Sequence, residues 1–418
     1  MNRLLFSFLN RIIVKGSLTV IDCAGQSFHF GEVQSKQTVT IRLTNRTTEW
    51  KLIADPEREA GEAYMDGRLL VEQGSLYDFL ALAIANMEAA KRPWWMATLS
   101  RLRVWTRRFR QNNTRKRAQQ NVAHHYDLSG ALYDLFLDTD KQYSCGYFED
   151  STSTLEDAQL AKKRHLAAKL HIQPNQTVLD IGSGWGGLSL YLAQNYPVSV
   201  TGVTLSEEQF DISRCRAKTQ NLRDRVDFRF RDYRKLEQKF DRIVSVGMFE
   251  HVGIGHFPEF FNMCHNLLAD DGVMVLHSIG RLDGPGETNP WIRKYIFPGG
   301  YMPALSEVLP VLERSGLKVT DVEILRLHYA DTLRAWRNRF MARWDEAAML
   351  YDERFCRMWE FYLAACETAF RYQDLMVFQI QMVKDQTVLP MTRAYMQDEE
   401  DRLRQQDGDK PRFGVACE

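Results

Sequence analysis

Val178-Leu-Asp-Ile-Gly-Ser-Gly-Trp-Gly-Gly187 is the stretch from which the rest of the chain is read. An apolar strand ends at Asp180, a loop follows in which Gly182, Gly184 and Gly186 alternate, and an apolar helix begins at Leu188. Glycine at these places lets the backbone turn tightly and approach a ligand. The helix start offers free N–H groups to whatever sits there. This is the logic of a nucleotide-type loop in a doubly wound α/β sheet. The spacing departs from the dinucleotide fingerprint, and no Lys-Ser/Thr pair follows as in a phosphate loop. A redox dehydrogenase is disfavoured on that ground.

Outward from this loop, strands alternate with helices. Strands are expected at Thr177–Asp180, Val198–Thr204, Val226–Arg231, Phe240–Val246, Val273–Ser278 and Lys318–Leu325. Helical crossovers between them make a mostly parallel sheet. Residues 280–303 interrupt the rhythm, and an insertion of that length suggests a lid or binding loop. Residues 333–369 read as one or two long helices, and little packing is expected after about residue 395. Upstream, residues 1–90 read as a small α+β accessory domain, with strands at Ser17–Cys23, Gln26–Phe30 and Thr38–Leu43. The expected division is therefore 1–90, a basic linker helix at 91–120, a catalytic domain at 121–395 and a charged tail at 396–418.

The chain has 418 residues with 54 basic and 54 acidic side chains, a balance that argues against bulk nucleic-acid binding. The balance hides an asymmetry. Between Glu88 and Asp127 stand ten Lys or Arg and no acid. Trp95, Leu99, Leu102, Trp105 and Phe109 recur at helical spacing there, edged by arginines. Residues 94–110 thus suit either a helix lying on an anionic bilayer or an ordinary helix packed on a neighbouring domain. No apolar run is long enough to span a bilayer, so any membrane contact is expected to be peripheral. Seven scattered cysteines without a Cys-x-x-Cys pair point to reduced thiols in a cytoplasmic protein.

Ligands of such sheets sit beyond the carboxyl ends of the strands. The first strand end offers Asp180, and the second offers Thr204, Ser206 and Gln209. The third offers Asp232 for an adenine amine and Tyr233 for its face. The fourth and fifth offer Glu250 and His277, residue types suited to acid–base work. Zinc is the rival there, but His251, Cys264 and His265 lack ligand spacing, and no metal is expected.

The strand-end acid followed by alternating glycines resembles the first motif of S-adenosylmethionine methyltransferases. More specifically, the chain resembles the cyclopropane-fatty-acyl-phospholipid synthases and mycolic acid cyclopropane synthases from about His124 to Arg371. The resemblance is carried by His124-His-Tyr-Asp-Leu128, Gln142-Tyr-Ser-Cys145, the loop 178–187, Gly202–Gln209, Val246–Gly253, Tyr295–Gly300, His328–Trp336 and Tyr362–Arg371. Ser183 stands where such proteins often have cysteine.

The resemblance implies a Rossmann-like methyltransferase sheet with helical insertions beside the small N-terminal α+β domain. It implies S-adenosylmethionine as cofactor, with Tyr143 and Ser144 at its methionine part. It also implies a bound bicarbonate as base, surrounded by Cys145, Glu250, His277 and Tyr329, with backbone N–H groups near Ile279 and Cys145. Cys366 matches a cysteine sometimes assigned to catalysis, although its helical setting equally suits a structural thiol. The implied reaction places a methylene across a cis double bond of a phospholipid acyl chain, on the inner face of the membrane. A tunnel lined by Trp291–Tyr301 and Leu333–Phe340 is expected to shield a cation from water. A family member giving a methyl-branched, hydroxylated or N-methylated product is the alternative. A non-catalytic lipid-binding protein is disfavoured because Glu250, His277 and the glycines are all retained. Headgroup, double-bond position and oligomeric state, a homodimer included, are left open.

Overall fold

The computed structural model describes residues 1–32, 35, 37–89 and 130–408. The basic stretch 94–110 and the His124–Leu128 motif lie outside them. The chain divides into two compact units. One comprises residues 1–107, 287–298 and 333–375, the other residues 108–286, 299–332 and 376–418.

In the first unit, β1 (Ser17–Ile21) pairs antiparallel with β2 (Ser27–Gly31) and parallel with β3 (Thr38–Leu43). The β1–β2 turn is held by Asp22, whose carboxylate accepts the Ala24 and Gln26 N–H groups. A fourth strand, β4 (Leu69–Gln73), completes the sheet order β2-β1-β3-β4. The sequence reading lacks it, because five residues without polar alternation leave no periodic signal. An amphipathic helix, Arg3–Ile12, buries Leu5 and Ile12 in this core.

The helix Pro290–Tyr295 also belongs to the first unit, and it corrects the reading of Trp291 as a tunnel-lining lid residue. Trp291 is fully buried there, against Phe361 at a ring separation of 4.6 Å and over Gly61. A Cβ at Gly61 would stand 2.4 Å from the indole nitrogen, so the glycine makes room for the ring. Residues 333–369 form parts of three helices rather than one or two: His328–Ala342, Trp344–Leu350 and Glu353–Tyr372.

The second unit holds the doubly wound sheet. Its strands are β5 (Thr177–Ile181), β6 (Ser199–Thr204), β7 (Val226–Phe230), β8 (Phe240–Val246), β9 (Leu268–Arg281), β10 (Lys318–Leu325) and β11 (Leu375–Val383). Their spatial order is β10-β11-β9-β8-β5-β6-β7. The pairs β5–β6, β6–β7, β5–β8 and β8–β9 are parallel, and β10–β11 is antiparallel. Strand residues alternate between two cores. Leu179, Ile243, Met274 and Leu276 face Phe249, Phe257, Phe260 and Phe261, whereas Val178, Val244 and Val275 face Leu166, Leu170, Leu190 and Leu192. The chain leaves β5 outward through β6 and β7, then returns to β8 on its other side. The carboxyl ends of β5 and β8 are therefore a topological switch point, where such sheets open a crevice.

Three expectations need correction here. The sequence reading lacks β11, because its apolar run is broken by Gln379 and Gln381, both buried and hydrogen-bonded. The segment after residue 395 does pack. The helix Ala394–Gly408 buries Met396, Glu400 and Leu403, with Leu403 in the core beside β5 and β6. Its charged surface hid a single apolar contact line. Cys215 is disulfide-bonded, which departs from the expectation of reduced thiols, whereas Cys23, Cys145, Cys264, Cys356 and Cys366 are free.

Candidate active site

A cleft opens at the switch point, and its wall is built from the ends of β5, β6, β7 and β8. Of the residues read as cofactor-binding, Tyr143, Ser144, Asp180, Gly182, Gly184, Thr204, Gln209, Asp232 and Tyr233 line it. Gly186 and Ser206 do not line it, but they shape it. Gly186 is left-handed (φ +84°), and a Cβ there would meet Phe228 at 2.6 Å. Ser206 accepts the Gln209 N–H and so caps the helix Glu207–Thr219. Gly184 is also left-handed (φ +54°) and has open space where a Cβ would project. It is the point at which a side chain would fill the cradle instead of clashing with protein.

Asp180 accepts a 2.7 Å bond from Ser189, and burial raises its carboxyl to about 6. Thr204 donates to Gln209 Oε1 at 2.9 Å, tying the end of β6 to the next helix. Asp232 departs from its simple role as acceptor for an adenine amine. Both of its oxygens already receive Arg234, at 2.9 and 2.7 Å, so any ligand amine must share them. Tyr143 stands edge-on to Tyr133 at 5.3 Å, and Tyr133 edge-on to Trp185 at 5.0 Å.

Of the residues read as catalytic, His277 lies on β9 and Glu250 in the one-turn helix Phe249–His251 just beyond β8. Val246 of β8 pairs with His277 of β9, and the Gly247 N–H donates to the His277 carbonyl at 3.0 Å. Two residues further on, the Ile279 N–H donates to Glu250 Oε1 at 2.6 Å. This corrects the expectation that the Ile279 N–H is offered to an anion, since Glu250 takes it. Glu250 Oε2 is buried without a hydrogen-bond partner among the described residues, and burial raises the carboxyl to about 7. His277 is pushed well below its ordinary value by burial, so its ring is neutral. Gln379 Nε2, a donor, lies 3.1 Å from Nδ1 and leaves the ring proton on Nε2.

Cys145 is fully buried and donates to the Gly146 carbonyl at 3.2 Å, with burial holding its thiol protonated. The Gly146 N–H donates to Thr332, one helical turn beyond His328 on the helix that carries Tyr329. Cys366 belongs to the first unit, on the helix Glu353–Tyr372, and burial pushes its thiol up to about 12. Neither cysteine is a thiolate near neutral pH.

Sequence reasoning missed Gln142, Lys162, Trp185 and His251, all of which line the cleft. Trp185 lies inside the glycine loop, a signal that was available. Lys162 sits in a Lys-Lys-Arg run that looks like a solvated helix face.

A sequence profile of the family described as mycolic acid cyclopropane synthetase matches residues 113–380. The cyclopropane-fatty-acyl-phospholipid synthase of Escherichia coli (strain K12) is 38% identical over 340 residues, which are 81% of this chain and 86% of that protein. Tuberculostearic acid methyltransferase UfaA1 of Mycobacterium tuberculosis is 35% identical over 342 residues, 78% of each. Among solved structures, mycolic acid cyclopropane synthase CmaA1 complexed with SAH and CTAB aligns with a TM-score of 0.59 at 36% identity, covering 63% of this chain and 97% of that one.

Glu250 generates a test by its burial. Its folded-state value lies above the ordinary 4.5, so its neutral form is favoured by folding. No penalty exists below 4.5, and stability is lost as pH rises through about 7, by about 3 kcal/mol when fully charged. Glu250→Gln is therefore expected to be more stable than the parent at pH 8 and equally stable at pH 4.5, while losing turnover. Denaturant titrations at the two pH values check this. A variant equally or less stable at pH 8 would contradict the burial argument.

Proposed function

The chain belongs to the mycolic acid cyclopropane synthetase family, and from that premise we propose that it transfers a one-carbon unit from S-adenosylmethionine to the cis double bond of a phospholipid acyl chain, closing a cyclopropane ring. The observation that carries this reading is the cradle at Gly184 together with two buried titratable groups, Glu250 just beyond β8 and His277 on β9. Simple methyl transfer to a nucleophile needs a cofactor cleft. Ring closure also needs a group that removes a proton from a cationic product, and the Glu250–His277 pair supports that demand.

The fit of the cofactor rests on the left-handed, open Gly184 and on the buried polar wall of Asp180, Thr204 and Gln209. Bound there, S-adenosylmethionine supplies an electrophilic methyl group. Tyr143 and Ser144 would hold its methionine part, and Asp232 and Tyr233 its adenine. The orphaned Oε2 of Glu250 is the feature that fits a bicarbonate ion, which would supply a modest base among Cys145, Glu250, His277 and Tyr329. With Nδ1 facing Gln379, His277 would offer Nε2–H to an anion held there. Glu250, titrating near 7, holds or releases a proton at Oε2 within the working range. Cys145, locked as a thiol, presents no nucleophile to a cation.

A methyl-branched product is the second reading, favoured by the 35% identity to a tuberculostearic acid methyltransferase. Lipids from cells expressing the chain separate the two. A cyclopropane adds one CH2 per unsaturated chain, removes the olefinic carbons and keeps the unsaturation count, whereas a saturated branched product loses one equivalent. Activity is expected to fall in carbonate-depleted buffer and return on adding bicarbonate. Activity indifferent to bicarbonate would overturn the anion site.

The substrate we propose resides in a bilayer, and no described helix is long and apolar enough to cross one. Residues 94–110 are proposed to dock on anionic lipid, each arginine contributing about 1 kcal/mol near the surface. Reversing charge at Arg103, Arg107 and Arg110 is expected to weaken sedimentation with anionic vesicles and activity on bilayers, but not activity on detergent-dispersed phospholipid. Sedimentation unchanged by these substitutions and by high salt would return the segment to a packing role.

A further inference from the structure

The helix Leu155–Leu170 buries an unusual series of bases: Lys162, Lys163, Arg164, His165 and Lys169. Four of them meet carboxylates. Lys163 bonds Asp140 at 2.5 Å, and Arg164 stands 3.7 Å from Asp407. His165 lies between Glu323 at 2.7 Å and Glu400 at 2.6 Å, and Lys169 bonds Glu323. Lys162 differs. Its ammonium donates to two neutral oxygens, Gln142 Oε1 and Ser144 Oγ, each at 2.7 Å, and has no carboxylate within 4 Å among the described residues. It is only 1% exposed, yet it lines the cleft.

A buried charge without a counter-charge is costly, and protein interiors normally pair it. The same cleft wall carries a second buried charge, the Asp180 carboxylate, within electrostatic reach of Lys162 but not paired with it. Two opposite, separated charges on one wall complement a zwitterion. The amino-acid end of S-adenosylmethionine is one, with an α-ammonium and an α-carboxylate.

We propose that Lys162 is a further cofactor-binding residue: its ammonium receives the α-carboxylate of the cofactor's methionine part, while Asp180 faces the α-ammonium. The proposal rests on the reading of the cleft as the S-adenosylmethionine site. It also explains why Gln142 and Ser144 approach the ammonium with neutral oxygens, which orient it without neutralising it. Burial lowers the ammonium to about 8.

The test uses Lys162→Met and Lys162→Arg in the full chain, with S-adenosylhomocysteine and 5′-methylthioadenosine as probes. The second probe keeps the nucleoside and thioether but lacks the amino-acid end. Calorimetry is expected to show Lys162→Met weakening S-adenosylhomocysteine about a hundredfold, as when one partner of a buried charge pair is lost, and 5′-methylthioadenosine less than about threefold. Lys162→Arg should recover part of the loss. Because the methionine removes a buried cation that Asp138 and Asp140 offset only from a distance, the variant without added ligand should melt no lower than the parent.

Equal weakening of both probes, or a variant that is less stable or fails to fold, would make Lys162 a structural residue and overturn the proposal. Unchanged S-adenosylhomocysteine affinity with loss of bicarbonate stimulation would transfer the ammonium to the inorganic anion and equally overturn it. A parent chain that binds no S-adenosylhomocysteine would instead remove the cofactor reading itself.

Discussion

The turn from β5 into the helix Gly187–Asn195 passes through left-handed backbone at Gly182, Gly184 and Gly186, and the carboxyl edge of the sheet is arranged around it. Two of these glycines are demanded by protein. Phe228 would clash with a side chain at Gly186, and Met248 would crowd one at Gly182. Gly184 faces open space, so apart from its left-handed backbone no protein atom demands the missing side chain. The turn fixes where Asp180 ends, where the helix N-terminus points and how near β8 the ligand lies. The pairing of Val246 with His277 sets His277 on β9 level with the end of β8, and Glu250 follows in the short turn beyond β8.

Burial does most of the chemical tuning. It lifts Asp180 and Glu250 toward neutrality, keeps His277 unprotonated and holds Cys145 as a thiol. The carbocation we propose would benefit from a neutral His277 and a protonated Cys145, because no strong nucleophile would then face it. Paired charges lie just outside. The basic helix Leu155–Leu170 is anchored by carboxylates from β10 and from the C-terminal helix, so the tail takes part in holding the helix that bears Lys162.

Much of this was legible in the sequence because it rests on short-range rules. The glycine spacing, the strand ends and the alternation of strand and helix gave the doubly wound sheet and the cleft residues Asp180, Gly182, Gly184, Thr204, Gln209, Asp232 and Tyr233. What was not legible depends on distant partners. Lys162 looks like surface charge until Asp138, Asp140 and Asp180 are brought around its helix. Gln379 and Gln381 look like breaks in an apolar run until His277 and the Lys169 carbonyl are found opposite them. Trp291 reads as a lid aromatic until Gly61, 230 positions earlier, opens a slot for it. Leu403 is one apolar residue in a charged tail, and only tertiary packing reveals its burial.

The central claim is that cofactor binding and proton removal reside in adjacent but separable parts of one strand-end site. It is tested most directly by measuring S-adenosylhomocysteine affinity in folded Gly184→Val and His277→Ala proteins alongside turnover. The account predicts that Gly184→Val abolishes binding, whereas His277→Ala binds like the parent while turnover falls by roughly two to four powers of ten. Loss of affinity in His277→Ala equal to that in Gly184→Val, or parental affinity in Gly184→Val, would contradict it.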